Sequence, residues 1–413
     1  MVGKMVIAGV DTHKDTHVLC LLDGLGRKMS VASFSADPAG YDELARAIGS
    51  PEGCMVVGVE GTASYGAGLA RRLAELGYNV VEVLRPKRDK RRPGEGKDDP
   101  LDAERAARRA ASGHGCSVPK SQDGWVEAVR QLYVARRIAV ATSTSCVNCA
   151  KSMLTTAPGA LRERFRGIEQ AKELMPRLAR RRRADDPLEE AALAALRSVA
   201  KVWEEAREQA DSCERRMREL LDANAPALLG LEGCGTTTAA ALVVAAGDNP
   251  DRMKSEAAFA MLCGACPIPA SSGRTERHRL NRGGNRQANW ALYEIAVKRM
   301  AHDGKTKEYV EKRTADGKSK KETIRCLKRY IAREVYHALL DPNPEGAAPK
   351  GPALARMRRE AHLTQRQVAS ELGVSAAALS NLERGKRRST RLEARYYALL
   401  HKRKASQIVL DNL

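Results

Sequence analysis

Four acidic residues in the first quarter of the chain have the types and spacing of a metal site for phosphoryl transfer. Asp11 ends the apolar run Met-Val-Ile-Ala-Gly-Val, and Glu60 ends the run Met-Val-Val-Gly-Val. Asp99 and Asp102 stand three residues apart at a predicted helix start, so they lie on one helical turn. Such carboxylates can converge on a pair of Mg²⁺ ions, which polarise a phosphodiester and stabilise its attacking and leaving oxygens. The pattern predicts an enzyme that acts on a nucleic-acid backbone.

Some of these acids also have structural interpretations. Asp98 adjoins Asp99, so the choice of Asp99 rests on the Asp-x-x-Asp spacing to Asp102. Because Pro100 suits a first helical position, Asp99 could serve only as an N-cap. Asp11 and Glu60 could be charged strand ends without a metal.

The charge balance favours a polyanionic partner. The 413 residues include 71 Lys and Arg against 51 Asp and Glu, which gives a net charge of +20. DNA or RNA is the leading candidate, although ribosomal and membrane-surface proteins share such a balance. The length predicts two to four domains. No membrane span or signal peptide is evident, so we expect a soluble, intracellular protein with mostly reduced cysteines.

Residues 1 to about 120 alternate strand and helix signals. Apolar runs predict strands at 5–10, 17–22, 29–34, 55–59 and 79–84, and helical patterns fill 38–49 and 64–77. This order predicts an α/β domain with a mixed sheet flanked by helices. The basic, breaker-rich segment 85–97 is expected to be a loop that delivers Asp99 and Asp102.

The middle of the chain predicts long helices. One runs from Trp125 to about Met153 and another from Pro187 to about Leu221. Helices of this length without a strand partner favour an antiparallel hairpin or a coiled-coil arm, often used for dimerisation. The arginine run at 180–183 is either a solvated loop or a nucleic-acid contact.

Two segments of the next region could handle phosphate. Gly233 and Gly235 precede a small-residue helix, as in a helix-hairpin-helix, where backbone N–H groups can hold a phosphate. A tight turn between packed helices is the alternative. Farther on, residues 270–285 combine Ser271 and Ser272 with Gly and many basic residues, which fits a phosphate-handling loop better than a linker.

The C-terminal segment follows a Pro- and Gly-rich linker at 343–352. Apolar spacing predicts two short helices with Gly373 at the turn and Ser375 as cap of the second. This segment of the sequence is similar to the helix-turn-helix of the Cro/repressor class, from its Thr-Gln start to its Leu-Ser-Asn-x-Glu-Arg-Gly end. The second helix is expected in the major groove of DNA. The expected contact residues are Gln365, Ser375, Ala376, Ala377, Ser380, Asn381 and Arg384.

The motifs upstream of the linker together resemble insertion-sequence transposases of the Asp-Glu-Asp-Asp type. The resemblance spans about residues 5–340 and is carried by the order of five motifs. They are Gly-Val-Asp11-Thr-His-Lys, Val-Glu60-Gly-Thr-Ala-Ser-Tyr, Asp99-Pro-Leu-Asp102-Ala, Gly230-Leu-Glu-Gly-Cys-Gly, and Ser272-Gly-Arg followed by Arg282-Gly-Gly-Asn285. Such proteins join a RuvC-like (RNase H fold) domain to a serine-bearing transposase domain. The added repressor-like domain departs from the usual pattern.

The resemblance implies a mechanism and partners. The four acids would hold Mg²⁺, with Mn²⁺ as an alternative, and Ser272 would attack the scissile phosphate to form a covalent phosphoserine link. Ser271 is the alternative nucleophile, although the family's serine directly precedes glycine. Arg274, Arg277 and Arg279 would neutralise the phosphate. The expected partners are duplex donor and target DNA, an element-encoded guide RNA, and further copies of the chain in a dimer or tetramer.

These observations predict a domain order and leave three functions open. The expected segments are a RuvC-like domain at 1–122, a helical or coiled-coil arm at 123–224, a mainly helical transposase domain at 225–342, the linker at 343–352, and the helix-turn-helix domain at 353–413. The leading function is a DNA recombinase. A structure-selective junction nuclease acting by hydrolysis and a sequence-specific regulator are the alternatives. A protein nucleophile distinguishes the first from the second, and a full set of acids argues against the third.

Overall fold

The protein is described by a computed structural model over most of its length. The described residues are 5–84, 99–180, 184, 186–270, 278–341, 351–361, 363–385, 392–393, 395–397 and 399–400. They form two compact units, Met1–Gln131 with Ala246–Lys254 and Leu132–Ala245 with Ser255–Leu413. The finer domain order expected from the sequence stays a prediction. Over the described ranges, no helix is long and apolar enough to cross a membrane.

The first unit is built on a six-stranded mixed sheet. Its strands are β1 (Val6–Thr12), β2 (Thr16–Asp23), β3 (Lys28–Ser35), β4 (Cys54–Glu60), β5 (Val80–Val83) and β6 (Cys116–Ser117), in the order β3-β2-β1-β4-β5-β6. β1, β2 and β3 are antiparallel neighbours, while β4 and β5 continue parallel to β1. The five predicted strands are confirmed, and the mixed α/β class with them. The short β6 was not predicted, since two residues carry no alternation of apolar and polar side chains.

Helices cover both faces of this sheet. They are α1 (Pro38–Ile48), α2 (Ala67–Glu75) and α3 (Asp99–Ser112). Alternate strand residues separate the two faces, as a strand's period of two requires. One core holds Val10, Leu19 and Val59 with side chains of α1 and α2, whereas the other holds Ile7 and Val18 with alanines of α3.

Two glycines let α3 approach the sheet closely. A Cβ on Gly9 would lie 2.1 Å from the backbone N of Ala107, and one on Gly58 would lie 2.7 Å from the Cβ of Ala110. Only glycine fits at such distances without displacement of the helix. The small residues of α3 that face the sheet, Ala103, Ala106, Ala107 and Ala110, are buried for the same reason.

The long helices of the middle segment are present, together with two shorter ones. They are α4 (Trp125–Thr156), α5 (Gly159–Arg164), α6 (Ala171–Ala179) and α7 (Pro187–Asn224). Side chains from all four form one core, which includes Leu161, Leu174, Met175 and Leu196. Helices α5 and α6 were not predicted, because they are short and contain Gly159 and Pro176. The coiled-coil arm stays a prediction.

The rest of the second unit up to residue 341 is mainly helical. Its elements are α8 (Pro226–Gly230), α9 (Thr236–Ala246), α10 (Glu256–Leu262), β7 (Ile268–Pro269), β8 (His278–Arg279), α11 (Arg286–His302), α12 (Gly304–Ala315) and α13 (Lys320–Leu340). β7 and β8 form an antiparallel pair. α13 begins with a capping box in which Ser319 and Glu322 satisfy each other's backbone N–H groups. Leu292, Ile295, Ile331 and Val335 are buried on α11 and α13.

The C-terminal helices are α14 (Gly351–Glu360), α15 (Gln365–Leu372) and α16 (Ala376–Glu383). Thr364 and Gln367 form a capping box at the start of α15, and Gly373 ends that helix in the left-handed conformation. Ser375 accepts a hydrogen bond from the N–H of Ala378 and so begins α16. The predicted pair of helices, the glycine turn and the serine cap are confirmed.

Candidate functional site

Two of the predicted acids lie side by side at the carboxyl ends of two central strands of the sheet. β1 and β4 are parallel neighbours, with Val10 opposite Val59, so Asp11 and Glu60 follow at the carboxyl ends of both strands. Alternation along each strand places them on the face of Gly9 and Gly58, which is covered by α3. Asp11 is 2% exposed and Glu60 is 7% exposed. Carboxylates this buried are rare without a bonded partner or a metal.

The chain around Glu60 is held by local bonds. The Oγ1 of Thr12 donates to the backbone O of Glu60 at 2.8 Å, which ties the ends of β1 and β4 together. Gly61 then turns the chain with a φ of 66°, a conformation that strongly favours glycine. The position of the Glu60 backbone is therefore fixed by its neighbours on both strands.

The first turn of α3 brings Asp99 to the end of β1. Because Ala103 and Ala107 lie against Gly9, the residues one turn earlier lie toward Asp11. The Nε2 of His13 is 3.1 Å from the Oδ2 of Asp11 and 3.4 Å from the Oδ2 of Asp99. One ligand atom from each of the three residues lies within 4.8 Å of the others, so together they could hold a metal ion.

His13 was not predicted as a site residue. The available signal was its place two residues after Asp11 in the same motif, just beyond the end of β1. Its role depends on the approach of α3, which sequence spacing does not reveal. Carboxylates suit Mg²⁺ and Mn²⁺, whereas imidazole is more typical of Zn²⁺, Cu²⁺ or Fe²⁺ sites. His13 hydrogen-bonds Asp11 and lies close to Asp99, so it is better suited to orient these carboxylates than to bind Mg²⁺.

Glu60 and Asp102 do not belong to the three-residue group in the described part of the chain. The Oδ1 of Asp102 accepts a hydrogen bond from Nη1 of Arg105 at 3.0 Å, one turn farther along α3. Both acids nevertheless lie on elements that adjoin Asp11, namely β4 and the first turn of α3. Asp98, the alternative to Asp99, lies outside the described residues.

The predicted nucleophile and most of its basic neighbours lie outside the described residues. These are Ser271, Ser272, Arg274 and Arg277. Arg279 is described and lies exposed on β8. Their assignment stays a prediction.

The glycine turn before α9 is packed against α11. Gly233 has a φ of 76°, and a Cβ there would lie 3.1 Å from the backbone O of Ile295. The N–H of Gly235 donates to the Oγ1 of Thr238 at 2.9 Å, so it already has an acceptor. The guanidinium of Arg299 bonds the backbone O of Glu232 and the carboxylate of Glu334. This geometry favours the tight-turn alternative, and the phosphate-binding assignment stays a prediction.

The predicted DNA-contact residues of the helix-turn-helix fall into two groups. Ser375, Ala376, Ala377 and Arg384 are exposed at the two ends of α16. Ser380 and Asn381 are partly buried, and the Oδ1 of Asn381 accepts a hydrogen bond from Arg384 at 3.3 Å. Gln365 is also partly buried and bonds to another residue of the same domain: its Nε2 donates to the Oε2 of Glu383 at 2.7 Å.

Glu383 is the centre of a buried polar network that the sequence did not predict. Arg358 contacts its carboxylate with two nitrogens at 2.8 and 3.0 Å, and the Tyr396 hydroxyl donates to it at 2.6 Å. Glu383 is 6% exposed. Although burial raises the pKa of Glu383, the bonds from Arg358, Tyr396 and Gln365 outweigh it and lower that pKa.

Three protein families match separate parts of the chain. Residues 8–157 match a transposase family of the Asp-Glu-Asp-Asp, IS110 type. Residues 225–311 match the transposase IS116/IS110/IS902 family. Residues 354–394 match a helix-turn-helix family. The first match contains all four acids, and the second contains Ser272.

A curated relative is similar over about half its length. It is the insertion element IS110 uncharacterized 43.6 kDa protein of Streptomyces coelicolor, which is 30% identical over 216 residues. The match covers 48% of this chain and 53% of that protein.

Proposed function

Since the chain carries two transposase domains of the IS110 type and a helix-turn-helix domain, we propose that it is a DNA transposase that cuts and rejoins strands. The observation that carries this proposal is the pair of buried carboxylates, Asp11 and Glu60, at adjacent strand ends beside the first turn of α3. A buried pair of acids costs stability, so its presence indicates a function.

The four acids Asp11, Glu60, Asp99 and Asp102 are proposed to hold Mg²⁺, or Mn²⁺ in its place. Their oxygen donors fit these ions, and the Nε2 of His13 lies within 3.1 Å of Asp11 and 3.4 Å of Asp99. When bound, the metal would supply charge stabilisation to the attacking and leaving oxygens of the phosphodiester.

The sheet supports an RNase H-like, RuvC-type assignment for the first unit. Three antiparallel strands in the order β3-β2-β1 continue into parallel β4 and β5, with acids at the ends of the two central strands. In such sheets, sites form beyond the carboxyl ends of parallel strands. The helices α4 and α7 are proposed to form the arm through which copies of the chain assemble as a dimer or tetramer.

Ser272 is proposed as the nucleophile, with Ser271 as the alternative. Its hydroxyl oxygen would bond to phosphorus while the bond to the departing sugar oxygen breaks, and the serine proton would pass to solvent or to that oxygen. The phosphoserine ester keeps the phosphodiester's bond energy for rejoining. Arg274, Arg277 and Arg279 would neutralise the phosphate.

Donor and target duplexes are the proposed substrates, in the nucleoid of the bacterial cell, and an element-encoded RNA is the proposed guide. The net charge of +20 supports polyanionic partners of both kinds. The helix-turn-helix is proposed to bind duplex DNA through the exposed start of α16 and Arg384.

A covalent adduct tests the proposed chemistry. The purified chain with its co-purifying RNA would be incubated with labelled donor and target DNA, stopped in denaturant, and run on a denaturing gel. We expect a protein–DNA adduct that Ser272→Ala removes and Ser271→Ala retains. Loss with Ser271→Ala alone would move the nucleophile by one residue. Clean cleavage without any adduct would instead favour a hydrolytic nuclease.

A further inference from the structure

An open cavity of about 1110 Å³ lies in the second unit. Its walls come from the segments flanking the β7–β8 hairpin and from helices α11, α12 and α13. Arg279 and Leu280, which follow Ser272 by only a few residues in the sequence, are part of the lining. The carboxylates of the candidate metal site belong to the other unit and take no part in it.

The described lining is strongly basic. Nine lining residues are Arg or Lys: Arg279, Arg282, Arg286, Arg313, Lys318, Lys321, Arg325, Lys328 and Arg329. Glu322 is the one carboxylate of this described lining, and it accepts hydrogen bonds from the N–H and hydroxyl of Ser319 at 2.9 and 2.7 Å. Its charge is thus engaged at the start of α13, and the cavity suits a polyanion.

Three cations on α13 form a row along the helix instead of a single cluster. Lys321, Arg325 and Lys328 recur at intervals of four and three residues, so they share one face of the helix. At a rise of 1.5 Å per residue, the line from the first to the last is about 10 Å long. A row of this length matches successive phosphates of a strand better than a single phosphate group.

Exposed tyrosines accompany these cations. Tyr293 on α11 is 44% exposed and Tyr330 on α13 is 47% exposed, and both line the cavity. The ring of Tyr330 meets that of Tyr309 edge to face, with centroids 5.8 Å apart. Arg313 lies over the Tyr309 ring at 5.2 Å and donates to its hydroxyl at 3.1 Å. The ring of Tyr330 is therefore held in place while nearly half of it faces solvent.

Two neighbouring cations of α13, Lys328 at the end of the row and Arg329 after it, differ in their partners. The Nη1 of Arg329 is buried and has no hydrogen-bond partner among the described residues. A phosphate oxygen is the acceptor that a guanidinium satisfies well. The Nζ of Lys328 is held by the Oδ1 of Asn289 at 2.6 Å, and Asn289 is itself bonded to the backbone O of Cys263.

We propose that this cavity binds an unpaired polynucleotide strand, with phosphates on the α13 cations and bases stacked on Tyr293 and Tyr330. In a duplex the base faces are covered by neighbouring pairs, so exposed tyrosines gain little from them. Unstacked bases offer both faces, and basic grooves with aromatic side chains use them without sequence preference. The inference deepens the proposed function and rests on it only for the origin of the strand.

Binding of the full-length chain to labelled oligonucleotides tests the proposal. Fluorescence anisotropy in EDTA, without cleavage, would compare single-stranded DNA, single-stranded RNA of the same sequence and the corresponding duplex. The variants are Tyr330→Leu, Tyr293→Leu and Arg325→Gln. Tyr330→Phe keeps a stacking ring, and Arg215→Gln removes an exposed arginine of α7 outside the cavity. Thermal melting of each variant checks the fold.

We expect each leucine variant to weaken single-strand binding about 5- to 100-fold, while Tyr330→Phe retains it. Arg325→Gln should reduce the slope of log K against log salt by about 0.7, whereas Arg215→Gln should not. Tighter binding of DNA would assign the strand to the transposing DNA, and tighter binding of RNA would assign it to the guide.

Two results would overturn the inference. One is unchanged single-strand affinity in both leucine variants and in Arg325→Gln. The other is an equal loss for duplex and single strands. These binding assays need no strand cleavage. If the cavity binds single strands as expected but no protein–DNA adduct forms, only the proposed function is contradicted.

Discussion

The acidic site of the first unit and the basic cavity of the second are constructed differently. Asp11 and Glu60 are buried at strand ends and are fixed by register, by the Gly61 turn and by α3. The cavity instead gathers exposed or partly exposed side chains on helix surfaces, such as Tyr293 and Tyr330. The acids depend on backbone placement, whereas each cavity side chain contributes separately. Substitutions that shift the backbone of β1, β4 or α3 should therefore impair the acidic site even when they lie away from the carboxylates. Binding in the cavity should be impaired only when the lining residues themselves are substituted.

The largest expected effect separates catalysis from folding at the acidic site. Glu60→Gln or Asp102→Asn should lower strand cleavage by about a thousandfold or more, because a lost ligand removes several kcal/mol of charge stabilisation. The melting temperature should stay level or rise, since like-charge repulsion is relieved. Cleavage rates and melting curves measured on the same preparations check this. A parallel fall in both would mean that these acids are structural.

A buried ion pair gives the next effect. Glu383→Ala leaves the charge of Arg358 buried without its partner, which should destabilise the helix-turn-helix by about 3–5 kcal/mol. Hydrogen exchange in the full-length chain should show faster exchange over 351–385 and unchanged exchange in the first unit. Arg366→Ala, at an exposed position of α15, is the control and should leave protection intact. Equal protection in Glu383→Ala would refute the structural role of the pair.

The close approach of α3 to the sheet predicts a smaller loss. Gly9→Ala places a Cβ 2.1 Å from backbone of α3, so we expect about 3 kcal/mol of destabilisation and reduced cleavage. Gly24→Ala is the matched control, because its Cβ would have its nearest contact at 3.5 Å. Denaturant titration of both variants measures the difference. Similar stabilities would show that α3 does not rest on Gly9.

His17 provides the smallest effect, which depends on pH. Its ring is fully buried and stacks on Tyr41, and neither ring nitrogen has a hydrogen-bond partner in the described part of the chain. Burial lowers the pKa of His17. Below about pH 6.5 the unfolded chain binds a proton that the folded chain does not, so stability falls as pH falls.

The slope from His17 should approach about 1.4 kcal/mol per pH unit at most. His17→Phe keeps a stacking ring without a titrating group, so its free energy of unfolding should fall less between pH 7 and 5. Chemical denaturation at a series of pH values compares the two proteins. Parallel curves would mean that His17 is not the group responsible.

The contrast between the regions also explains what the sequence could predict. Asp11 and Glu60 were recognisable because each ends an apolar run, and strands with such runs lie side by side in a sheet. The cap at Ser375 and the turn at Gly373 were recognisable from local chemistry alone. His13 was missed because its contact with Asp99 requires α3, which begins 86 residues later.

Tertiary contacts also explain the other omissions. Glu383 looks like an exposed helix-end charge until α14 supplies Arg358 and the chain beyond α16 supplies Tyr396. The cavity was missed because its cations come from several helices, and only their packing brings them together. Helices α5 and α6 were missed because they are short and contain glycine or proline, and their apolar side chains are stabilised by a core shared with α4 and α7.

The central claim is that Asp11 helps to hold a catalytic divalent metal. Strand cleavage and melting temperature would be measured for the wild-type chain and Asp11→Asn, in EDTA and across a Mg²⁺ titration. We expect Mg²⁺ to restore cleavage and raise the melting temperature of the wild type, and to do neither in Asp11→Asn. Full Mg²⁺-dependent cleavage by Asp11→Asn would contradict the account.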